Sequence, residues 1–109
     1  MSKHNVVKHK LTAQRLEALS IAYLSVMRHV PEDGHELLLQ EHARELLQRI
    51  STMLLSDQQK YTLKMNGSEA MAFMQLWYTI PVPAGSLEQV VIGEIIKTID
   101  KASKQPRLM

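Results

Sequence analysis

The sequence predicts a mainly α-helical single domain, a small bundle of about four helices with one or two short accessory β-strands. Three observations support this fold class. The chain has 109 residues, which is the length of one ordinary domain. It contains only four glycines and four prolines, which favours long regular elements over a loop-rich β-fold. Apolar residues recur at helical spacing through most of its length.

The first predicted helix spans about residues 13–30, with Thr12 as its N-cap. Its apolar positions recur every three or four residues, namely Leu16, Leu19, Tyr23, Val26, Met27 and Val30. Pro31 ends this helix because the residue before a proline is pushed out of the α region. The turn at 31–34 follows, and Asp33 can cap the next helix.

The second predicted helix spans about residues 34–55 and is clearly amphipathic. One apolar stripe runs along it, formed by Leu39, Ala43, Leu46, Ile50, Met53 and Leu54. Two long amphipathic helices joined by a short turn form an antiparallel hairpin. Residues 13–55 are therefore predicted to fold as one helical hairpin.

A short strand is predicted at 60–65, where the segment KYTLKM alternates polar and apolar residues. The capping-box pair Ser56 and Gln59 leaves a short helix from Asp57 as the alternative, although Tyr-Thr is a poor helix interior. A lone strand cannot satisfy its backbone hydrogen bonds. Its neighbour is predicted to be Asn5–Lys10, Tyr78–Val82 or the same strand of a second chain.

Two further helices complete the predicted domain. The helix at about 68–79 is apolar on most of its surface, and Pro81 and Pro83 then form an extended linker. Ser86 and Gln89 make a capping box that starts the last helix, at about 87–103. Residues 1–109 form one domain, with 1–11 as a basic N-terminal arm and 104–109 as a flexible basic tail. No internal repeat is visible in the sequence.

Several classes of function lack the residues that they need. The chain has no cysteine, which excludes disulfides, thiolate metal sites and cysteine nucleophiles. His35 and His42 lie about two helical turns apart, too far to share one metal ion, and neither an HExxH motif nor a nucleophile elbow is present. We therefore expect no enzyme, no catalytic residue, no metal and no cofactor. With no apolar run of membrane-spanning length and no signal-peptide pattern, we expect a cytoplasmic protein with no membrane partner.

The surplus of apolar helical surface predicts a non-enzymatic protein-interaction or oligomerisation module, with a homodimer as the expected state. A nearly all-round apolar third helix and an isoleucine-rich fourth helix exceed what a small bundle needs for its own core. Two-fold dimers are the commonest way to cover such a surface. The predicted partner interface comprises Tyr61, Leu63, Met74, Trp77, Tyr78, Ile92 and Ile96.

The alternative prediction is an accessory nucleic-acid-binding protein that uses its basic ends. The predicted contacts are Lys3, Lys8, Lys10, Lys97, Lys101, Lys104 and Arg107. A helix-turn-helix mode does not suit the chain, because the second helix begins with acidic residues that would repel phosphate.

Overall fold

The computed structural model describes residues 6–104 as two strands and four helices. In chain order these are β1 (Val7–Thr12), α1 (Ala13–Arg28), α2 (Gly34–Leu54), β2 (Lys60–Met65), α3 (Gly67–Thr79) and α4 (Leu87–Lys104). This is the predicted fold class, a mainly helical bundle with short strands. Within residues 6–104, no helix combines the length and the apolar character needed to cross a bilayer.

The predicted strand at 60–65 is a strand, not a helix, and its neighbour is the N-terminal segment. β1 and β2 pair antiparallel in a two-stranded sheet. Residues 7–11 of the segment expected to be a basic arm therefore belong to β1. Residues 1–5 and 105–109, including most of the predicted tail, lie outside the described residues.

One face of this sheet is buried and the other is exposed, because side chains alternate across a strand. The buried face packs on the helices and comprises Val7 and Leu11 of β1 with Tyr61, Leu63 and Met65 of β2. The register places His9 opposite Leu63. The helices thus lie on one side of the sheet only.

The chain consists of two β-α-α units, β1-α1-α2 and β2-α3-α4. Aligning Thr12 with Asn66 superposes the two N-caps, and each cap accepts a hydrogen bond from the backbone N–H three residues later, at Arg15 and Glu69. Five of the six buried positions of α1 then coincide with buried positions of α3 or with its C-cap, Ile80. These pairs are Leu16 with Ala70, Leu19 with Phe73, Ala22 with Leu76, Tyr23 with Trp77 and Val26 with Ile80.

The same alignment equates His9 with Leu63, the two residues that face each other in the sheet. A local two-fold axis through this pair relates the two strands of the sheet, since such an axis must pair equivalent residues at its centre. The two units share N-caps, buried positions and strand pairing, but not the same residues. The repeat is therefore not visible in the sequence.

The core forms where the two units meet. α1 packs against α2 and α4, and α2 packs against α3. At the centre Tyr23 contacts Trp77 with ring centroids 5.2 Å apart and Phe73 at 6.3 Å. Such tilted and edge-on ring contacts stabilise beyond the area that they bury.

Candidate nucleic-acid interface

The exposed face of the two-stranded sheet is strongly basic. We call the two strands the β1–β2 ribbon, and its exposed side the lysine face. The lysine face comprises Lys8, Lys10 and Thr12 of β1 with Lys60, Thr62 and Lys64 of β2, all exposed to solvent. Four ammonium groups are thus presented on one small surface, and no carboxylate lies among them.

The pairing register brings some of these charges directly together. Lys8 is opposite Lys64, while Lys10 faces Thr62 and Thr12 faces Lys60. Like charges directly opposite each other destabilise a sheet. Within residues 6–104 none of the four lysines forms an ion pair, although such pairs occur elsewhere on the molecule. Within the described part of the chain, no ion pair to these lysines therefore offsets the cost in folding free energy.

Two contacts hold the ribbon from its buried side and from its edge. His9 Nδ1 lies 2.7 Å from Thr98 Oγ1 of α4, which places α4 behind the sheet. Arg49 of α2 donates from Nη1 to the Lys64 carbonyl oxygen at 2.8 Å and also pairs with the Glu69 carboxylate. The Arg49 guanidinium holds the pKa of Glu69 below its ordinary value. Both strands are therefore fixed in position relative to the helices.

A polar recess lies at the Thr12 end of the ribbon. Its volume is about 340 Å³, and its lining includes Lys10, Arg15 and Lys60 together with Glu94. Arg15 and Glu94 are 3.6 Å apart, so one of the three cations is partly neutralised. The recess extends the positive surface beyond the lysine face.

The predicted nucleic-acid contacts are divided among several parts of the molecule. Lys8 and Lys10 lie on the lysine face. Lys97 and Lys101 are exposed on α4, which is behind the sheet, so they do not share that surface. Lys104 is the last residue of α4, while Lys3 and Arg107 lie outside the described residues.

Lys60 and Lys64 were missed by the sequence analysis. The signal was present, since the alternation of KYTLKM puts both lysines on the polar side of the strand. This alternation indicates a basic surface only once β2 is known to pair with β1, and that pairing joins segments far apart in the chain.

The predicted partner interface is mostly inside the molecule. Tyr61, Leu63, Trp77 and Ile92 are buried within a single chain. Met74 and Ile96 are partly buried against the same core. Tyr78 is the exception among the seven, with 71% of its surface exposed. These residues therefore do not form one continuous exposed surface.

The histidines and the buried polar groups do not assemble a reactive site. Within 6–104 no group of three or more histidine, aspartate or glutamate side chains is placed to hold a metal ion. Among the residues that the structure describes, Tyr23 Oη, His42 Nε2 and Trp77 Nε1 are buried and have no hydrogen-bond partner. Burial raises the pKa of Tyr23 and lowers the pKa of His42, so both side chains are neutral at pH 7.

No protein-family model matches the chain, and neither a curated protein nor a solved structure resembles it. Function must therefore be inferred from the residues and their geometry.

Proposed function

We propose that this protein is a non-enzymatic DNA-binding protein whose β1–β2 ribbon enters the major groove of duplex DNA. The observation that carries this proposal is the lysine face, on which Lys8, Lys10, Lys60 and Lys64 lie together and, within residues 6–104, form no ion pair. An anionic partner would supply the missing counter-charges. Phosphate neutralisation by lysine is the main source of affinity in DNA binding.

The dimensions and the chemistry of the ribbon both suit the major groove. This groove is about 12 Å wide and admits a two-stranded β-ribbon. Each strand has six residues and is about 20 Å long. Lysine ammonium groups donate hydrogen bonds to phosphates and to guanine O6 and N7, and threonine methyl groups contact the thymine methyl group. The Thr62 methyl group thus offers a base contact between the lysines, and the Thr12 methyl group offers one at the end of the ribbon.

Duplex DNA fits this surface better than duplex RNA. The major groove of A-form RNA is deep and narrow and does not admit protein side chains. The acidic residues at the start of α2, which make a helix-turn-helix mode unsuitable, do not prevent DNA from binding at the ribbon. Asp33 follows the far end of α1, a helix of 16 residues that is about 24 Å long and begins where the ribbon ends.

The salt dependence of DNA affinity tests the proposal. With four phosphate-neutralising lysines, the logarithm of the binding constant should fall with the logarithm of salt concentration with a slope of about −3.6. Fluorescence anisotropy of a labelled mixed-sequence duplex measures this slope. The same measurement on an RNA duplex of matching sequence should give clearly weaker binding.

A matched pair of variants locates the contact. The double change Lys8→Gln with Lys64→Gln should make the salt slope shallower by about 2, because each lysine removed releases one counterion fewer. The control is Lys97→Gln with Lys101→Gln, which removes the same charge from α4 behind the sheet. Equal losses in the two variants, or no DNA binding at low salt, would contradict the proposal.

Self-association, the other function predicted from the sequence, stays a second proposal. Part of the exposed surface of α3 is apolar, with Met71 61% exposed and Tyr78 on the same side of the helix. Sedimentation velocity over a range of protein concentrations tests it directly. A sedimentation coefficient that does not change with concentration would contradict it.

A further inference from the structure

The recess at the Thr12 end of the β1–β2 ribbon is a direct extension of the lysine face. Two of the residues that line it, Lys10 and Lys60, belong to that face, and Arg15 in the first turn of α1 lies beside them. The volume of the recess, about 340 Å³, falls within the range of small-ligand sites. It therefore has room for a phosphate group next to the surface that we propose to contact DNA.

The recess carries an excess of positive charge at pH 7. Its cations are Lys10, Lys60 and Arg15. The carboxylate of Glu94 is the one anionic group among the lining residues. His9 also lines the recess, but burial lowers the pKa of His9, so its imidazole is neutral at pH 7 and adds no charge. Three cations against one carboxylate favour an anionic ligand.

The Arg15 side chain has hydrogen-bonding capacity left for such a ligand. Within residues 6–104 its guanidinium makes no hydrogen bond, and its one ion pair is with Glu94 at 3.6 Å. Charge-assisted hydrogen bonds are shorter, at about 2.7–2.9 Å, so this pair is loose. A guanidinium presents five N–H donors in a planar fork that matches a phosphate group. Arg15 can therefore bind a phosphate with donors that Glu94 does not engage.

The opposite end of the ribbon has different charges at the equivalent positions. The alignment of the two strand-end N-caps equates Arg15 with Glu69. It also equates Lys60 with Val6, so a carboxylate and an apolar side chain stand in place of two cations. The guanidinium of Arg49 at that end is already engaged by Glu69 and by a backbone carbonyl oxygen. The charges therefore favour an anion at the Thr12 end over the opposite end.

The position of the recess suits a phosphate of the DNA backbone. The two sugar–phosphate backbones bound the major groove, so a ribbon that lies in this groove has phosphates along both of its edges. The recess lies where β1 ends and α1 begins, away from the centre of the lysine face. Arginine and lysine side chains commonly bind such phosphates and thereby fix the position of a protein on the duplex.

We infer that the recess binds one phosphodiester group of the DNA backbone, which Arg15, Lys10 and Lys60 hold together. This inference rests on the proposed DNA binding by the ribbon and adds a contact outside the lysine face. Glu94 competes with the phosphate for the Arg15 guanidinium and so limits the affinity. Because the equivalent positions at the opposite end carry Glu69 and Val6, the contact is one-sided and anchors the duplex at the Thr12 end.

Removal of the Arg15 charge tests the contact. Arg15 adds a fifth cation to the four of the lysine face, so the wild-type salt slope should be steeper than four lysines give by up to about 0.9. Arg15→Gln should make the slope shallower by about 1. It should weaken binding to A·T-only and G·C-only duplexes by the same factor, because a phosphate contact carries no sequence information. Fluorescence anisotropy gives both values, and circular dichroism checks that the variant is folded.

The control is an ion pair of the same length elsewhere on the molecule. Arg44 and Glu41 of α2 are also 3.6 Å apart, and neither residue lines the recess. Arg44→Gln removes the same charge as Arg15→Gln and should leave the salt slope close to that of wild type.

Removal of the competing carboxylate should have the opposite effect. Glu94→Gln should tighten DNA binding by up to about fivefold, the change that corresponds to an exposed ion pair, because the whole Arg15 guanidinium becomes available to the phosphate. A purely structural role of this ion pair predicts no such gain. Glu41→Gln is the control, since it removes an equal charge outside the recess and should leave the affinity unchanged.

Two further measurements identify the kind of phosphate. One duplex prepared with and without 5′-terminal phosphates should bind wild-type protein equally well. Inorganic phosphate that replaces chloride at constant ionic strength should leave the DNA affinity unchanged. A preference for phosphorylated ends, or saturable competition by inorganic phosphate, would assign the recess to a terminal or free phosphate and overturn the inference.

The inference and the DNA-binding proposal fail in different ways. Equal salt slopes for Arg15→Gln and Arg44→Gln, unequal losses on the two duplex sequences, or no gain in Glu94→Gln would overturn the inference alone. The double change Lys8→Gln with Lys64→Gln would then still reduce the slope. Wild-type protein that binds no duplex at low salt would overturn both.

Discussion

The two β-α-α units share a plan but differ in how their helical hairpins close. In the first unit the Gln40 side chain donates to the carbonyl oxygens of Val26 and His29, at 3.1 and 2.7 Å. His29 Nε2 also lies 3.0 Å from a Glu36 carboxylate oxygen. In the second unit the N-cap alignment places Gly93 at the position of Gln40, so no corresponding side chain can join the two helices.

This difference separates the structural features that both units share from those that differ between them. Both units retain a strand, an N-cap at the end of that strand and most of the buried positions on the following helix. Only the hairpins diverge. The ribbon takes one strand from each unit, and it is held in place by Thr98 of α4 and Arg49 of α2. The first hairpin is closed by its own hydrogen bonds, and the second offers an open surface.

The largest effect is expected at the equivalent core positions Leu19 and Phe73. Each is fully buried, so truncation to alanine removes apolar contacts and leaves a cavity. Phe73→Ala should reduce the free energy of unfolding by about 3–5 kcal/mol and Leu19→Ala by about 2–5 kcal/mol. Urea denaturation followed by Trp77 fluorescence measures both. If one change were nearly neutral, the two units would not contribute equally to the core.

A smaller loss is expected when the closure of the first hairpin is removed. Gln40→Ala deletes two hydrogen bonds to backbone carbonyls at a partly buried site, and should cost about 1–3 kcal/mol. Gln48→Ala, on the exposed side of the same helix, is the control and should be near neutral. Equal effects of the two changes would show that the hairpins do not differ in the way described.

The two N-caps test the equivalence of the units at the ribbon. Thr12→Ala and Asn66→Ala should each cost about 1 kcal/mol. Asn66 should be the more sensitive, because it forms a full capping box in which the Glu69 carboxylate accepts the Asn66 backbone N–H. Thermal and urea denaturation provide the values. A larger loss at Thr12 would contradict this order.

Acidification should destabilise the fold through two histidines. Burial lowers the pKa of His9 and of His42 in the folded state. The unfolded chain then binds more protons as the pH falls through about 6.5, and stability decreases with it. Urea midpoints between pH 7 and pH 5 record this decrease.

A variant carrying His9→Gln and His42→Phe should show a flatter pH profile over the same range. His35→Gln, at an exposed site, is the control and should leave the profile as in wild type. If the double variant had an unchanged slope, these two groups would not be its source.

The smallest effect should be a gain in stability at Gly93. Glycine in a helix interior costs about 0.5–1 kcal/mol relative to alanine, and a Cβ atom here would meet no atom within 4 Å. Gly93→Ala should therefore raise the unfolding free energy by about that amount. Gly85→Ala provides the contrast, since its φ of 80° makes the same change unfavourable. A loss of stability at Gly93 would indicate that α4 packs closely at this position.

Local structure could be predicted from the sequence because its causes are local. Helical periodicity, caps and prolines gave the four helices to within one or two residues, and the alternation at 60–65 gave β2. The partner of β2 could only be narrowed to three candidates, since strand pairing joins distant segments. The predicted basic surface was incomplete for the same reason, because it included Lys8 and Lys10 but not Lys60 and Lys64.

The apolar residues of α3 and α4 were predicted to contact a partner because their neighbours within the chain are also distant in sequence. Trp77 and Ile92 were predicted to face a second molecule, yet both are buried within one chain. The second unit packs against the first, through α1 with α4 and through the ring contact of Tyr23 with Trp77, and this packing covers them. A repeat without residue identity gives no sign in the sequence that such a neighbour exists.

The covalent link between the two strands has a consequence for recognition. A ribbon made from two separate subunits would come apart on dilution, whereas one made from a single polypeptide has its halves at a fixed effective concentration. Each strand can also mutate independently of the other, and equivalent positions already differ, with Lys8 in one strand and Thr62 in the other. A target read by such a ribbon need not be a palindrome.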